Sequence, residues 1–224
     1  MFKPVIFLGP TLSIDKAKEI LDADYRSPAK KGDLLKLIPT AVRFVGLVDG
    51  YFLQDYPPTP IEVYNLLRKK DVMVFGSSSL GALRAVELNK FGMKGVGKIF
   101  KLYLNGIIDS DDEVAVTFTG YSEYQSDALI DIRYNLFLAQ KKQIIDRNTQ
   151  RNILRIAKKT YFPYRTYNDI LDKSKKIFSL QRKQIEDFEE YLSKNKVSLK
   201  EKDAITLLIN IKNTIEAVQS KKPL

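Results

Sequence analysis

Three short apolar segments constrain the fold of this chain most strongly. They are Val5–Leu8, Val42–Val48 and Val72–Phe75, and each is followed by turn residues and then by a helical pattern. Strands that are apolar on both faces are typical of a parallel sheet with helices packed on both sides. We therefore predict an α/β fold in which helices cover a Rossmann-like parallel sheet on both faces, giving three layers.

The second half of the chain has a different pattern. From residue 121 onward, apolar residues recur at helical spacing, and the clearest example is the series Ile205, Leu208, Ile211 and Ile215. Steps of three and four residues place such side chains on one face of a helix. We predict two parts: an α/β core domain over residues 1–120, and a mostly α-helical extension over 121–224 that packs on the core.

Basic residues are concentrated in the helical half. The whole chain has 37 Lys and Arg against 27 Asp and Glu, a formal charge of +10. Residues 1–120 carry 16 basic and 14 acidic residues, whereas residues 121–224 carry 21 and 13. This excess can serve solubility alone, or it can form a docking face for an acidic partner. Nucleic acid is disfavoured, because no recognition motif accompanies the basic residues.

The 224-residue chain contains no His, Cys or Trp. This composition excludes zinc sites built on Cys and His, disulfides, a Cys nucleophile and any catalytic triad with a His base. The acidic run Asp109–Glu113 could hold Mg²⁺ or could be a solvated turn, and we predict no metal. No apolar run approaches the roughly 20 residues that cross a bilayer, so we expect a cytoplasmic protein without a membrane contact.

The strongest local signal for chemistry is the run from Ser77 to Gly81. A strand, a turn of small residues and a helix follow one another here, an arrangement that resembles a nucleophile elbow with Ser79 at its tip. The amides of Leu80 and Gly81 would then point at an oxyanion. Two other interpretations remain open: Ser77, Ser78 or Ser79 caps the helix, or the turn binds an anion without any nucleophile.

Two further loops are expected at the same edge of the sheet. Gly9–Thr11 ends the first strand, and Asp49–Tyr51 ends the second. Because ligands bind at the carboxyl ends of parallel strands, we expect these loops to lie beside the Ser77–Gly81 turn. Asp49 and Gly50 could also form an ordinary turn. Asp24-Tyr25-Arg26 could form a loop that folds over the three strand ends as a lid.

Arg84, one turn into the helix after Ser79, has two possible roles. Its guanidinium could clamp a carboxylate or phosphate, or it could pair with Glu87 on the same helix.

Taken together, six motifs in this order resemble the TfuA-like family. They are GPTLS, DYRSPAKKGDLL, GLVDGYF, VFGSSSLGALRAVEL, FGMKGVGKIF and DDEVAV. The resemblance covers the α/β half almost continuously and extends more loosely into the helical half through YFPYRTYNDIL and VSLKEKDAITLL.

The resemblance implies a partner and a reaction. TfuA-like proteins accompany YcaO enzymes, which use ATP to activate a backbone amide, and the pair installs a thioamide, for example in ribosomal peptides. The implied role of the TfuA-like member is to release sulfide by hydrolysing the C-terminal thiocarboxylate of a ThiS-like sulfur carrier. The alternative is a non-catalytic adaptor that recruits YcaO, the carrier or the precursor peptide. No cofactor is implied.

The resemblance also suggests roles for individual residues. Ser79 would attack the thiocarboxylate or orient a water molecule, and Asp49 and Arg84 would assist. The carrier tail or its charge would be held by the remaining candidates, which are Gly9, Thr11, Arg26, Tyr51, Ser77, Ser78, Leu80, Gly81 and Glu87. No base is assigned, because the chain has no His. Without Cys, the protein cannot carry sulfur as its own persulfide and must act on the sulfur of another carrier.

Overall fold

The computed structural model describes residues 3–52, 55–119 and 123–220. The chain divides into two compact units. The first consists of Met1–Asp111, Gly120–Glu123 and Lys200–Leu224, and the second consists of Asp112–Thr119 and Tyr124–Leu199. The predicted division between residues 120 and 121 falls outside the described residues and stays a prediction.

A five-stranded parallel sheet forms the centre of the first unit. Its strands are β1 (Val5–Phe7), β2 (Asp24–Arg26), β3 (Phe44–Leu47), β4 (Met73–Ser77) and β5 (Lys94–Val96). The spatial order is β2-β1-β3-β4-β5, and all four neighbouring pairs are parallel. The three strands predicted from apolar runs are the three central ones, so the predicted α/β fold is confirmed.

Helices make up most of the rest of the described chain. They are α1 (Ile14–Ile20), α2 (Pro60–Leu67), α3 (Leu80–Leu88), α4 (Gly97–Leu104), α5 (Leu129–Lys141), α6 (Arg147–Lys159), α7 (Tyr167–Ile177), α8 (Arg182–Asn195) and α9 (Leu199–Ser220). At the start of α2 the Thr59 hydroxyl accepts a hydrogen bond from the amide of Glu62, and Pro60 occupies the first turn. Both residues are favoured at these positions because the first amides of a helix lack partners within it.

The last helix packs on the sheet of the first unit. Ala204, Leu207, Leu208 and Ile211 of α9 belong to one apolar cluster with Ile6, Phe44, Phe75 and residues of α1. Gly46 in β3 makes this close approach possible, since a Cβ there would lie 2.7 Å from Ile6 Cδ1 and 3.0 Å from Ile211 Cδ1 and Leu207 Cδ2. On the neighbouring strand, a Cβ on Gly76 would lie 3.0 Å from Ala85 Cβ of α3, whereas the adjacent Phe75 belongs to the α9 cluster. Because successive side chains of a strand point to opposite faces, α3 covers the second face, and the sheet carries helices on both faces, as predicted.

The second unit contains α5 to α8 around its own apolar core. Ile132, Leu136, Ile153, Ile170 and Phe188 are fully buried there. The predicted helical character of the C-terminal half is thus confirmed. The chain also forms a small sheet from β6 (Phe118–Thr119) and β7 (Glu123–Tyr124). Across the described ranges, no helix has both the length and the apolar character that crossing a bilayer would require.

Two residues of the acidic run, Asp112 and Glu113, have structural roles in the second unit. Glu113 is buried and accepts two hydrogen bonds from Arg133, at 2.6 and 2.7 Å. Asp112 pairs with the fully buried Arg165, which also donates to the backbone oxygens of Asp112, Ala157 and Thr160. Among the described residues, no group of three or more acidic side chains is arranged to hold a metal ion.

Candidate functional site

The order of the strands defines a crevice at the carboxyl edge of the sheet. From β1 the chain moves outward to β2 on one side, whereas β3 is followed by β4 and β5 on the other side. The connections therefore diverge between β1 and β3, and open α/β sheets bind ligands at such a point. The loops that follow these two strands are Gly9–Thr11 and Asp49–Tyr51.

Asp49 joins these two loops. Its carboxylate is buried and accepts hydrogen bonds from the amide of Gly9 (2.9 Å), the amide of Thr11 (3.2 Å) and the hydroxyl of Thr11 (2.6 Å). Three donors on one carboxylate fix its position and satisfy its charge. The structure thus brings Gly9, Thr11 and Asp49 together, and Asp49 acts there as the anchor of the loop after β1.

Glycines allow the neighbouring segments to approach closely. A Cβ on Gly9 would lie 2.4 Å from Pro28 Cγ, and a Cβ on Gly50 would lie 2.1 Å from Leu80 Cδ2. In addition, the amide of Ala29 donates to the carbonyl of Asp49, at 2.9 Å. The dipeptide Asp49-Gly50 is therefore more than a turn, because it contacts both the loop after β1 and the first residue of α3.

Ser77 and Ser78 are anchored to the last helix. The Ser77 hydroxyl donates to the carbonyl of Asp203 at 3.0 Å, and the Ser78 hydroxyl donates to the carbonyl of Lys200 at 2.9 Å. Both serines are fully buried, and Ser78 has a φ of 66°, in the left-handed region that non-glycine residues rarely adopt. Both hydroxyls bond to α9, so the interpretation that they cap α3 is wrong.

Ser79 differs from its two neighbours. It occupies the N-cap position of α3, yet its side chain makes no capping hydrogen bond. Ser79 is thus the N-cap residue that one interpretation predicted, but its hydroxyl does not cap α3. Ser79 is 3 % exposed, and its backbone amide donates to the carbonyl of Ser77, at 2.9 Å. The sharp turn presents the Ser79 hydroxyl at the first turn of a helix, where backbone amides favour a negative charge.

Only one of the two predicted oxyanion donors remains a candidate. The amide of Gly81 donates to the carbonyl of Val48 at 3.2 Å, so the prediction that it binds an oxyanion is wrong. A Cβ at Gly81 would lie 1.7 Å from Leu47 O, which shows how closely α3 approaches β3. The amide of Leu80, the first residue of α3, remains the candidate donor.

Arg84 and Glu87 bind each other. Arg84 Nη1 lies 2.9 and 2.8 Å from the two carboxylate oxygens of Glu87, and Arg84 Nε donates to the carbonyl of Pro58 at 2.8 Å. Of the two roles considered for Arg84, the ion pair is thus confirmed. A further role toward a substrate anion stays a prediction for both residues.

Arg26 and Tyr51 lie at the margin of the crevice. Arg26 is the last residue of β2, an edge strand, and its guanidinium pairs with Asp24 at 2.8 Å. The prediction that residues 24–26 form a loop over the site is therefore wrong. Tyr51 is half-buried, and the Lys30 ammonium lies 4.6 Å from the centre of its ring.

A comparison with protein families bears on the central part of the chain. The family model described as TfuA-like protein matches residues 49–166, which is more than half of the sequence. The chain belongs to the TfuA-like family. Among curated proteins no match was found. The TfuA-like family is associated with YcaO thioamidation, so this protein has a role connected with that chemistry and with a YcaO partner.

The matched region of this TfuA-like protein includes most but not all of the site. Asp49, the Ser77–Ser79 turn and α3 lie inside residues 49–166, whereas Gly9–Thr11 and α9 lie outside them. A loop from the N-terminal end of the chain therefore completes the crevice, and a helix from the C-terminal end anchors the neighbouring serine turn.

Two buried charged residues in α9 of this TfuA-like protein were not predicted from the sequence. Asp203 accepts hydrogen bonds from the amides of Lys98 (3.0 Å) and Ile99 (2.7 Å), so it caps α4 from another helix. Lys200 is 0 % exposed and lies one turn before it. A signal was present, because Lys200 precedes Ala204, Leu207 and Ile211 at apolar helical spacing, but a lysine at the end of such a stripe usually extends into solvent.

Proposed function

We propose that this TfuA-like protein releases sulfide for a YcaO enzyme by hydrolysing the C-terminal thiocarboxylate of a ThiS-like carrier. The observation that carries the proposal is the environment of Ser79. Its two neighbours are fixed to α9, its own hydroxyl caps nothing, and it lies at the N-terminus of α3 beside the crevice. A nucleophile needs such a preorganised position, and an oxyanion needs nearby amides.

The reaction would proceed in two steps. Ser79 Oγ bonds to the carbonyl carbon of the thiocarboxylate as the C–S bond breaks, and the sulfur departs with the bonding electron pair and the hydroxyl proton of Ser79 as hydrosulfide. Water then cleaves the Ser79 ester and releases the carrier with a carboxylate. One water is consumed for each sulfide released. The amide of Leu80 supports the oxyanion, while Asp49 holds the loop after β1 against the carrier tail.

The test is sulfide release from a thiocarboxylated ThiS-like carrier. Ser79→Ala is expected to lower the rate at least about 100-fold, since it removes the attacking oxygen. Ser193→Ala is the matched control, because Ser193 is an exposed serine on α8 that only donates to the carbonyl of Glu190. If Ser79→Ala folds as the wild type does and releases sulfide at an unchanged rate, Ser79 is not the nucleophile.

A second candidate function, recruitment of an acidic protein partner, is supported by one face of α6. Arg147, Arg151 and Arg155 recur at four-residue spacing, and Lys158 and Lys159 continue the series. All five are exposed, and none of them forms an ion pair within the part of the chain that the structure describes. Unpaired charges on one face attract an opposite surface and speed its encounter.

Recruitment is tested by reversing two of these charges. The double variant Arg151→Glu with Arg155→Glu is expected to bind YcaO at least about 10-fold more weakly at low ionic strength, because two attractions become repulsions. Lys183→Glu is the control, since Lys183 is an exposed cation on α8 that already pairs with Asp187. The adaptor role would be contradicted by affinity that responds neither to the double variant nor to added salt.

A further inference from the structure

Two exposed tyrosines, Tyr161 and Tyr164, follow the basic helix α6, and we call them the tyrosine pair. Tyr161 is 58 % exposed and Tyr164 is 74 % exposed. The centres of their rings lie 6.2 Å apart, with the ring planes inclined at 62°. Most of the surface of both rings is therefore open to a partner. Tyrosine is enriched at protein interfaces, because its rigid ring gives a large contact area at little cost in conformational entropy.

The turn that carries the tyrosine pair is fixed to the end of α6. Phe162–Tyr164 forms a short 3₁₀ helix, and the ring of Phe162 is buried against Tyr161. The buried guanidinium of Arg165 donates to the carbonyls of Ala157 and Thr160 at the end of α6. These contacts hold the turn in one arrangement before any partner binds. Such preorganisation lowers the cost of ordering the surface on binding.

The tyrosine pair extends the cationic face of α6. This helix has five cations and no acidic residue, and Arg147, Arg151 and Arg155 recur at four-residue spacing. A rise of 1.5 Å per residue places successive members about 6 Å apart and makes the series about 18 Å long up to Lys159. The Arg155 guanidinium also lies 5.3 Å from the centre of the Phe178 ring. Carboxylates at four-residue spacing on a partner helix would have the same repeat as the arginines.

The angle between the two rings favours a protein partner over nucleic acid. Both kinds of partner can be anionic, but the bases of a single strand stack flat on aromatic rings. Two rings inclined at 62° do not form one flat platform for successive bases. They present an angled apolar surface, which suits an aliphatic side chain.

We propose that α6 and the tyrosine pair form a docking surface for an acidic helix of a protein partner, with an aliphatic residue beyond its carboxylates resting on the tyrosines. The inference rests on the recruitment of an acidic partner proposed above and adds the apolar contact that retains this partner. The cations attract the helix, so they act mainly on the association rate and its dependence on salt. The tyrosine pair excludes water, so it acts mainly on the dissociation rate.

Two fluorescent peptides test the chemistry of the occupant. Both are helices of about 16 residues, locked by a side-chain cross-link, with glutamate at every fourth position. The first has leucine at both ends and the second has serine there. The wild type is expected to bind the leucine peptide at least about 10-fold more tightly than the serine peptide, because the tyrosine pair contacts the leucine. Equal affinity for the two peptides overturns the proposal.

The double variant Tyr161→Ala with Tyr164→Ala is expected to bind the two peptides with equal affinity, because the apolar contact is lost. Its fold should be unchanged, since both rings are exposed, and urea titration checks this. Tyr56→Ala is the matched control, because Tyr56 is an exposed tyrosine in the first unit. It should keep the wild-type preference for leucine. If the double variant also keeps that preference, the tyrosine pair is not the anchor.

Other occupants of this surface give different results. An oligothymidylate of about 15 nucleotides could bind the wild type more tightly than the leucine peptide and lose that affinity in the double variant. This result would assign the surface to nucleic acid and overturn the proposal. Sedimentation could instead show a dimer for the wild type and a monomer for the double variant. The occupant would then be a second copy of this chain, and the proposal would again be overturned.

Binding to YcaO separates this inference from the recruitment on which it rests. The double tyrosine variant is expected to bind YcaO at least about 10-fold more weakly, through faster dissociation, at high as well as low ionic strength. If the wild type does not bind YcaO, recruitment of YcaO fails, whereas a preference for the leucine peptide still supports the docking surface. If the wild type and the double variant bind YcaO equally well, recruitment stands and the tyrosine pair is not part of it.

Discussion

At the scale of single residues, hydrogen bonds and close glycine contacts fix the shape of the crevice. Asp49 holds the loop after β1 through three hydrogen bonds, and Gly50 lies against Leu80. A turn built this tightly fixes where the Ser79 hydroxyl lies without any direct bond to it. Substitutions at these closely packed glycines should therefore change the free energy of unfolding, and this effect can be measured without any assay of activity.

Gly81→Ala is expected to destabilise the protein by about 3 kcal/mol or more, because the added Cβ would lie 1.7 Å from Leu47 O, a backbone atom of the central strand. The free energy of unfolding from urea titration measures the effect. Gly92→Ala is the comparison, since Gly92 has open space around it and only a φ of 101° to oppose the change. Its cost should be about 1 kcal/mol. Equal costs for the two variants would contradict the close contact between α3 and β3.

The sequence identifies these residues only in part. The positions of Ser79 and Asp49 follow from strand–turn–helix order, because parallel strands end at one edge. The hydroxyl partners of Ser77 and Ser78 could not be inferred, since they lie more than 120 residues away in α9. The hydrogen bond from the Gly81 amide to the Val48 carbonyl could not be inferred either. It depends on how closely a helix approaches a strand, and no local sequence pattern encodes that distance.

At the scale of elements, the central strands could be predicted and the edge strands could not. β1, β3 and β4 are apolar on both faces because neighbouring strands and helices surround them. β2 and β5 contain Asp24, Arg26 and Lys94, and they lie at the two edges of the sheet. Charged residues at an edge remain in contact with water and discourage pairing with other chains. The apolar pattern that reveals a central strand is therefore not required at an edge.

Asp146→Ala is expected to lower the free energy of unfolding by about 1 kcal/mol at pH 7, because Asp146 caps α6 by accepting from the amide of Thr149 at 2.7 Å. That bond, with a second from Gln184, holds the pKa of Asp146 below its usual range. A depressed pKa gives stability that is present above the unfolded-state value and is lost as pH falls through the folded-state value.

The measurement is a pair of urea titrations at pH 7 and near pH 2. The difference between Asp146→Ala and the wild type should narrow at the lower pH. Asp172→Ala is a control, because Asp172 is an exposed acid within α7 with no capping role. A difference that stays constant across this range would show that the carboxylate does not cap α6.

At the scale of the whole molecule, each unit contains a tyrosine whose pKa is raised by burial. Burial, with a smaller contribution from Asp22, raises the pKa of Tyr25 to about 12, and burial raises the pKa of Tyr167 as well. Unfolded tyrosine ionises near pH 10. A raised folded-state pKa gives stability that is complete below the unfolded value and is lost as pH rises toward the folded one. Both units should therefore weaken above pH 10.

Tyr25→Phe is expected to reduce the loss of stability of the first unit between pH 10 and 12. The reason is that residue 25 then has no phenol that ionises when the unit unfolds. At neutral pH it should cost about 1 kcal/mol, since the hydroxyl bonds to the carbonyls of Ala17 and Leu21. Unfolding followed at several alkaline pH values tests this. Tyr161→Phe, at an exposed tyrosine, should follow the wild type. An unchanged alkaline slope in Tyr25→Phe would contradict the expected effect.

The return of α9 to the first unit has a consequence for how the chain is made. Ser77 bonds to a carbonyl 126 residues later in the sequence, and the apolar side of β3 around Gly46 is covered by residues 207 and 211. At ordinary rates of translation the ribosome needs roughly 6 to 25 s to synthesise the intervening stretch. During that interval one face of the nascent sheet lacks the helix that covers it, and the Ser77–Ser79 turn lacks its hydrogen bonds to α9. Vectorial synthesis thus makes the crevice one of the last parts of the protein to form.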